Sequence, residues 1–185
     1  MAPLPARECG GCTICCAVLP IASEQFDKQA GVLCTHCNEA AGCRIYETRP
    51  GPCRAFLCGW RELALIPDDL RPDRSGILVV AGEDEAPPGY RQMPGVKFVI
   101  LGGKASLEAA SFLECLAGLI DARAPTYLGV PGPPGHFFTS TFLNVRLSDA
   151  VSRRDGGAMI RLLGEIMDAL AGGAFEPVIF PPRRS

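Results

Sequence analysis

Nine of the ten cysteines in this 185-residue chain fall between Cys9 and Cys58, nearly one residue in five of that stretch, while the remaining two-thirds holds only Cys115. A chain this long can bury an adequate apolar core without covalent staples, so a small domain's need for cross-links does not explain them. From residue 9 to residue 60 the sequence is rich in Cys, Gly and Pro and shows neither a 3.6-residue nor a 2-residue apolar period. Such a segment is expected to wrap as loops around a centre that replaces an apolar core. The first residues show no basic leader followed by an apolar stretch, and no run reaches the 18 or so apolar residues that a membrane span needs. The expectation is a soluble, cytoplasmic protein with no membrane partner. In a reducing cytoplasm a dense cysteine pattern reads as metal binding rather than disulfides. With 18 basic and 20 acidic residues and a net charge of -2, no nucleic-acid partner is expected.

The spacing sharpens the metal reading. Cys9, Cys12, Cys15 and Cys16 form C-x-x-C-x-x-C-C, and two-residue spacers let successive thiolates converge on one centre, as in zinc ribbons and cubane iron–sulfur sites. Gly10 and Gly11 admit positive φ and let amides approach sulfur. If Cys15 and Cys16 are locally extended, their side chains point to opposite sides, so one of them serves a second centre or packs as a small apolar residue. Cys34 and Cys37 add a second C-x-x-C, which with Cys9 and Cys12 is close to a two-knuckle zinc pattern. Cys43, Cys53 and Cys58 follow, with Pro50 and Pro52 stiffening the approach to Cys53. A regular helix from 53 to 58 would set those two sulfurs about 140° apart and send them to different centres. Nine cysteines suffice for two four-thiolate sites of charge about -2 each. Cys9, Cys12, Cys15, Cys43, Cys53 and Cys58 are the firmest ligands, with two places open among Cys16, Cys34 and Cys37. Arg44, Arg49, Arg54 and Arg61 could offset that charge or donate N–H to sulfur, and Arg49, beside Pro50 in the loop presenting Cys53, is the chosen one.

The joint pattern of Cys9, Cys12, Cys15 and Cys16 with Cys43, Ile45-Tyr46, Arg49-Pro50, Cys53-Arg54, Phe56 and Cys58 resembles the CxxCxxCC cysteine-cluster family of zinc- or iron-chelating domains. The resemblance spans residues 9–60, under a third of the chain. It implies metal chelation in an intracellular bacterial setting and supplies no established reaction. A similar cluster is associated with flagellin lysine methylases, but no methyl-donor site is legible here. Cys34, His36 and Cys37 all stand where the family has its central ligand.

Beyond the turn-rich stretch 63–75, the pattern becomes that of packed elements. Strands are expected at 76–81, 96–101, 126–130 and 135–145, and helices at 106–121, capped by Ser106, and at about 150–171, ended by Gly172-Gly173. The fold class is therefore α+β: an irregular cysteine-rich metal-binding N-terminal region (1–62) packed on a small sheet with two main helices (76–180), as two units or one continuous domain. His36, with nine cysteines around it, reads as a bystander and His136 as structural. Cys115, on an apolar helix face, reads as a buried thiol. Two histidines assemble no catalytic triad, and Gly102-Gly103-Lys104 is not a phosphate loop.

The sequence thus predicts a protein chelating Zn2+ or an iron–sulfur cluster, in one or two centres, with a structural or metal- and redox-handling role. Two other classes stand beside it: a metal-dependent enzyme with an open coordination position, and a zinc-stabilised protein-interaction module. No enzyme motif is recognised.

Overall fold

The computed structural model describes residues 7–38, 41–82, 87–90 and 94–181. The cysteine-rich region contains only short elements: helix α1 (Ile14–Val18), a two-residue ribbon of β1 (Ile21–Ala22) and β2 (Asp27–Lys28), a second ribbon of β3 (Cys37–Asn38) and β4 (Gly42–Cys43), then helices α2 (Gly51–Ala55) and α3 (Gly59–Glu62). A 3-10 turn at Asp68–Leu70 and helix α4 (Pro72–Ser75) lead into the main sheet. The turn-rich stretch is not a loose tether, because Ile66 and Leu70 are fully buried.

The main sheet has the order β5 (Ile77–Gly82), β6 (Gly95–Ile100), β7 (Thr126–Val130) and β8 (Thr139–Phe142), and its pairs are antiparallel, parallel and antiparallel in turn. Parallel strands need a long crossover, and here helix α5 (Ala110–Asp121) supplies it between β6 and β7. Helices α6 (Asn144–Ser152) and α7 (Gly156–Ala171) follow β8 and complete the α+β fold. Val79, Phe98 and Leu128, aligned across three strands, share one apolar core with Phe112, Leu116, Leu147, Leu163 and Ile166 from the helices. Full burial of a side chain the size of Phe112 stabilises by roughly 1.5–3 kcal/mol.

The strands at 76–81, 96–101 and 126–130 form within one residue of their expected places, whereas three expectations need correction. The helix expected from Ser106 begins at Ala110. A 3-10 segment, Lys104–Glu108, buries Leu107, and Ala109 is extended at φ -65°, ψ 122°. Ser106 therefore caps nothing. The strand expected over 135–145 shrinks to Thr139–Phe142, because buried Asn144 starts α6 instead. Its Oδ1 accepts from Thr126 N at 2.9 Å, and its Nδ2 donates to Ala124 O at 2.8 Å. The single helix expected at 150–171 is two helices, broken where Arg154 adopts φ 54° and Asp155 accepts from Ala158 N at 2.8 Å to start α7. Asp155→Ala should cost about 1 kcal/mol, measured as a lowered urea midpoint with an unchanged slope.

The cysteine region is tied both to the sheet and to the loop between β7 and β8. Gly59, at the start of α3, packs on Val79 of edge strand β5 so closely that an added Cβ would lie 2.5 Å from Val79 Cγ1. At its other end, Gly135 N donates to Ala30 O at 2.8 Å.

Candidate metal centre

Two of the C-x-x-C spacers, 9–12 and 34–37, fold into tight turns. Cys12 N donates to Cys9 O at 3.0 Å and Cys37 N to Cys34 O at 2.8 Å, and the positive φ of 53° at Gly10 serves the first of these turns. Cys15 and Cys16 lie in α1, not on the extended chain considered from the sequence, and neighbouring helical side chains diverge by about 100°. Cys53 and Cys58 are likewise not on one helix. Helix α2 stops at Ala55, and the backbone is extended at Phe56 and again at Cys58. With no regular helix across 53–58, the 140° divergence does not apply to that pair.

Two cavities adjoin the sulfurs. A larger one of about 270 Å³ is lined by Cys9, Cys12, Cys15, Cys16, Cys34, Cys43 and Cys53, together with Phe26, His36, Ile45, Tyr46, Arg49 and Phe56. A smaller one of about 20 Å³ is lined by Cys9, Cys12, Cys15 and Cys58 with Trp60, Arg61 and Leu78. Cys37 lines neither cavity, but it pairs across β3 and β4 with Cys43, which lines the larger one. Residues up to 49 positions apart in sequence are thus brought to one place. Cys115 is apart from them: its thiol, half-buried on α5, lies 3.9 Å from Leu65 O, and burial pushes its pKa up to about 11.

The thiols strongly influence one another. The hydrogen bond from Cys15 holds Cys16 below the usual thiol range, aided by Cys37 and by the charges of Lys28 and Arg49. That same bond, followed by burial, pushes Cys15 up. Burial raises Cys12, Cys37, Cys53 and Cys58, and the charges of Cys16, Cys34 and Cys43 add to the effect at Cys53.

The cations around them divide unevenly. Arg49 lines the larger cavity, stacks 3.7 Å from the Tyr46 ring centroid and donates from Nε to Tyr46 O at 2.8 Å. Arg61 Nη1 donates to Cys9 Sγ at 3.7 Å, a direct N–H···S contact. Arg44 and Arg54 are exposed, and Arg44 donates to Thr35 O at 2.6 Å. Two further cations escaped sequence reasoning. Arg71 donates to Cys9 O at 2.7 Å, while its Nε is 2.9 Å from Asp73 Oδ1 but out of line for a hydrogen bond. Lys28 is 6 % exposed, and its ammonium donates to Ala17 O, Gln29 O and Val32 O at 3.1, 2.9 and 2.7 Å. Three carbonyls use all three N–H groups of Lys28, and the charges of Cys34, Cys16, Cys15 and Cys37 partly oppose the loss of basicity that burial brings. No local pattern marks Lys28; its one signal was its place between Cys16 and Cys34.

Tyr46 and Phe56 wall the larger cavity and Trp60 the smaller. His36 packs on Phe26 with ring centroids 5.1 Å apart, and His136 forms a bridge to Pro177. Among the described residues, no three Cys, His, Asp or Glu side chains already stand close enough together to hold a metal ion. The donor set itself suits a thiophilic metal, being soft sulfurs lining shared cavities with cations nearby, and the sulfurs would have to draw together to bind one. Among the described residues no helix is long and apolar enough to cross a membrane. No family model, no curated protein and no solved structure matches this chain.

Proposed function

We propose that the protein chelates a metal, as Zn2+ or as an iron–sulfur cluster, through its N-terminal cysteines, with a structural or metal- and redox-handling role. The observation that carries this reading is that eight of the nine N-terminal cysteines line two adjoining cavities, while the ninth, Cys37, is the cross-strand partner of Cys43, which lines the larger one. Most of these sulfurs are only partly buried and contribute little as an apolar core, and clustering thiolates is costly unless a cation shares their charge. A bound zinc or iron–sulfur group would supply that charge and cross-link loops that lack a core of their own. Lys28, Arg49, Arg61 and Arg71 are placed to offset the surplus negative charge that four thiolates leave on such a group. The resemblance to the CxxCxxCC family implies the same role, and a cytoplasmic setting belongs to this proposal because it keeps the thiols reduced.

Anaerobic purification with metal analysis and a visible spectrum tests it. A brown protein containing iron and sulfide, or a colourless one containing zinc, is the expected result. A chain that carries neither, and takes up neither when reduced, would sink the reading. Arg49→Ala should weaken metal affinity by about 10–100-fold, the usual cost of losing a group that supports a ligand; unchanged affinity in a competition titration would remove Arg49 from the site. The enzyme alternative draws on the larger cavity, whose walls include Arg49, Tyr46 and Phe56 as well as sulfur. Its signature is three protein ligands and one exchangeable water, read by anion-dependent shifts in the spectrum of a cobalt-substituted protein.

A further inference from the structure

We propose that the cysteines build two separate and unlike metal sites, a mononuclear one held by Cys9, Cys12, Cys15 and Cys58 and a second held by four of the five cysteines Cys16, Cys34, Cys37, Cys43 and Cys53. This rests on the metal-binding reading and adds which sulfurs share a metal. The smaller cavity decides the first set. Its lining contains four cysteines, and Cys58 lines no other cavity described here. Cys9, Cys12 and Cys15 face both cavities, and drawn together with Cys58 they would make a four-thiolate shell of the kind a structural zinc uses. A volume of about 20 Å³ holds little more than one water-sized sphere, which needs roughly 10–15 Å³. It therefore suits one ion and not a polynuclear cluster. Trp60, Pro72 and Leu78 wall it off, and Arg61 brings an N–H to Cys9 Sγ.

The other five cysteines are linked by their own contacts. Cys37 and Cys43 are cross-strand partners, and Cys34 N donates to Cys16 O at 3.0 Å. Their cavity is more than ten times larger, at about 270 Å³, and it admits a bulkier group or an ion with a further ligand. The buried Lys28 ammonium is the cation of this second set, as Arg61 and Arg71 are of the first. The Cys15–Cys16 peptide is the boundary between the sites. At each, a divalent ion would exchange four thiol protons for four metal–sulfur bonds, releasing the protons to solvent and leaving a charge of about -2 for the neighbouring cations to offset.

Zinc titration of the reduced, metal-free protein, followed by native mass spectrometry, tests the division. The wild type should bind two ions. Cys58→Ser and, independently, Cys9→Ser should each keep one, as should the double variant Cys34→Ser/Cys37→Ser. Cys58→His retains a ligand and guards against misfolding: it should hold two cobalt ions, with the visible absorption of one shifted and of the other unchanged. A wild type that binds only one ion overturns the proposal, as does a Cys58→Ser protein that loses both or neither, or a Cys58→His protein in which both absorptions shift. A wild type that takes neither zinc nor iron overturns the metal-binding reading and this division together.

Discussion

Treating the reduced protein with a strong chelator is expected to unfold the N-terminal third while the main sheet and its helices remain folded. Between residues 7 and 59, the buried apolar side chains among those described are Ile21, Ala30, Cys34, Cys37 and Pro50, and two of these are proposed ligands. The sheet and helices, by contrast, bury Phe98, Phe112, Leu116, Leu128, Leu143 and Leu147 almost completely. On the metal-binding proposal, one part would depend on metal–sulfur bonds, while the other rests on apolar area. In small metallo-domains a structural zinc contributes roughly 10–16 kcal/mol of apparent free energy at neutral pH, far more than five buried residues offer. Amide hydrogen exchange resolves the two parts: on chelation, protection at 9–58 should collapse, while the amides of β6, β7 and α7 keep theirs. Protection at 9–58 that survived complete metal removal would show that the loops do not rely on a metal.

The second large effect is expected at the seam, from Gly59→Ala. An added methyl would sit 2.5 Å from Val79 Cγ1, 3.1 Å from Val79 Cβ and 3.4 Å from the Val79 carbonyl carbon. Rotating Val79 cannot relieve all three, because two belong to atoms fixed by strand β5. Overpacking of this kind costs about 1–3 kcal/mol, and the melting temperature should fall by several degrees. Metal retention should fall with it, since Gly59 follows Cys58 directly and any displacement of α3 moves that sulfur. The variant Gly59→Ala/Val79→Ala should recover part of the loss, with a coupling energy of about 0.5–3 kcal/mol between the two positions in a thermal-melt cycle. Strict additivity would mean the clash is absorbed elsewhere.

The sequence was most legible where a local rule is rigid. Two-residue spacers became the turns at Cys9–Cys12 and Cys34–Cys37, and the β-branched runs became β5, β6 and β7. It was least legible where a long-range contact overrode a local pattern. The helix whose apolar stripe runs from Met159 to Leu170 is expected to reach back to Ala150, and the positive φ of Arg154 with the capping carboxylate of Asp155 marks the break. Asn144 ended a strand early because its amide bonds the backbone near Thr126, which no local window contains. At the candidate site, the cysteines announced themselves by count and spacing. Lys28 did not, since a lone lysine in a polar stretch reads as surface until its three carbonyl partners are seen.

The bond from Gly135 N to Ala30 O, which ties the cysteine region to the loop between β7 and β8, also orders events in time. Gly135 lies about a hundred residues after Ala30, and Val79, the seat of Gly59, also comes after every N-terminal cysteine. A ribosome adding roughly 5–20 residues per second takes on the order of 5–20 s to cover the first of those distances. During that interval nine thiols are outside the exit tunnel or entering it with no sheet to lean on. The chain makes its most oxidisable part first and the scaffold for it last, so, on the metal-binding proposal, metal and reductant must reach those thiols during synthesis.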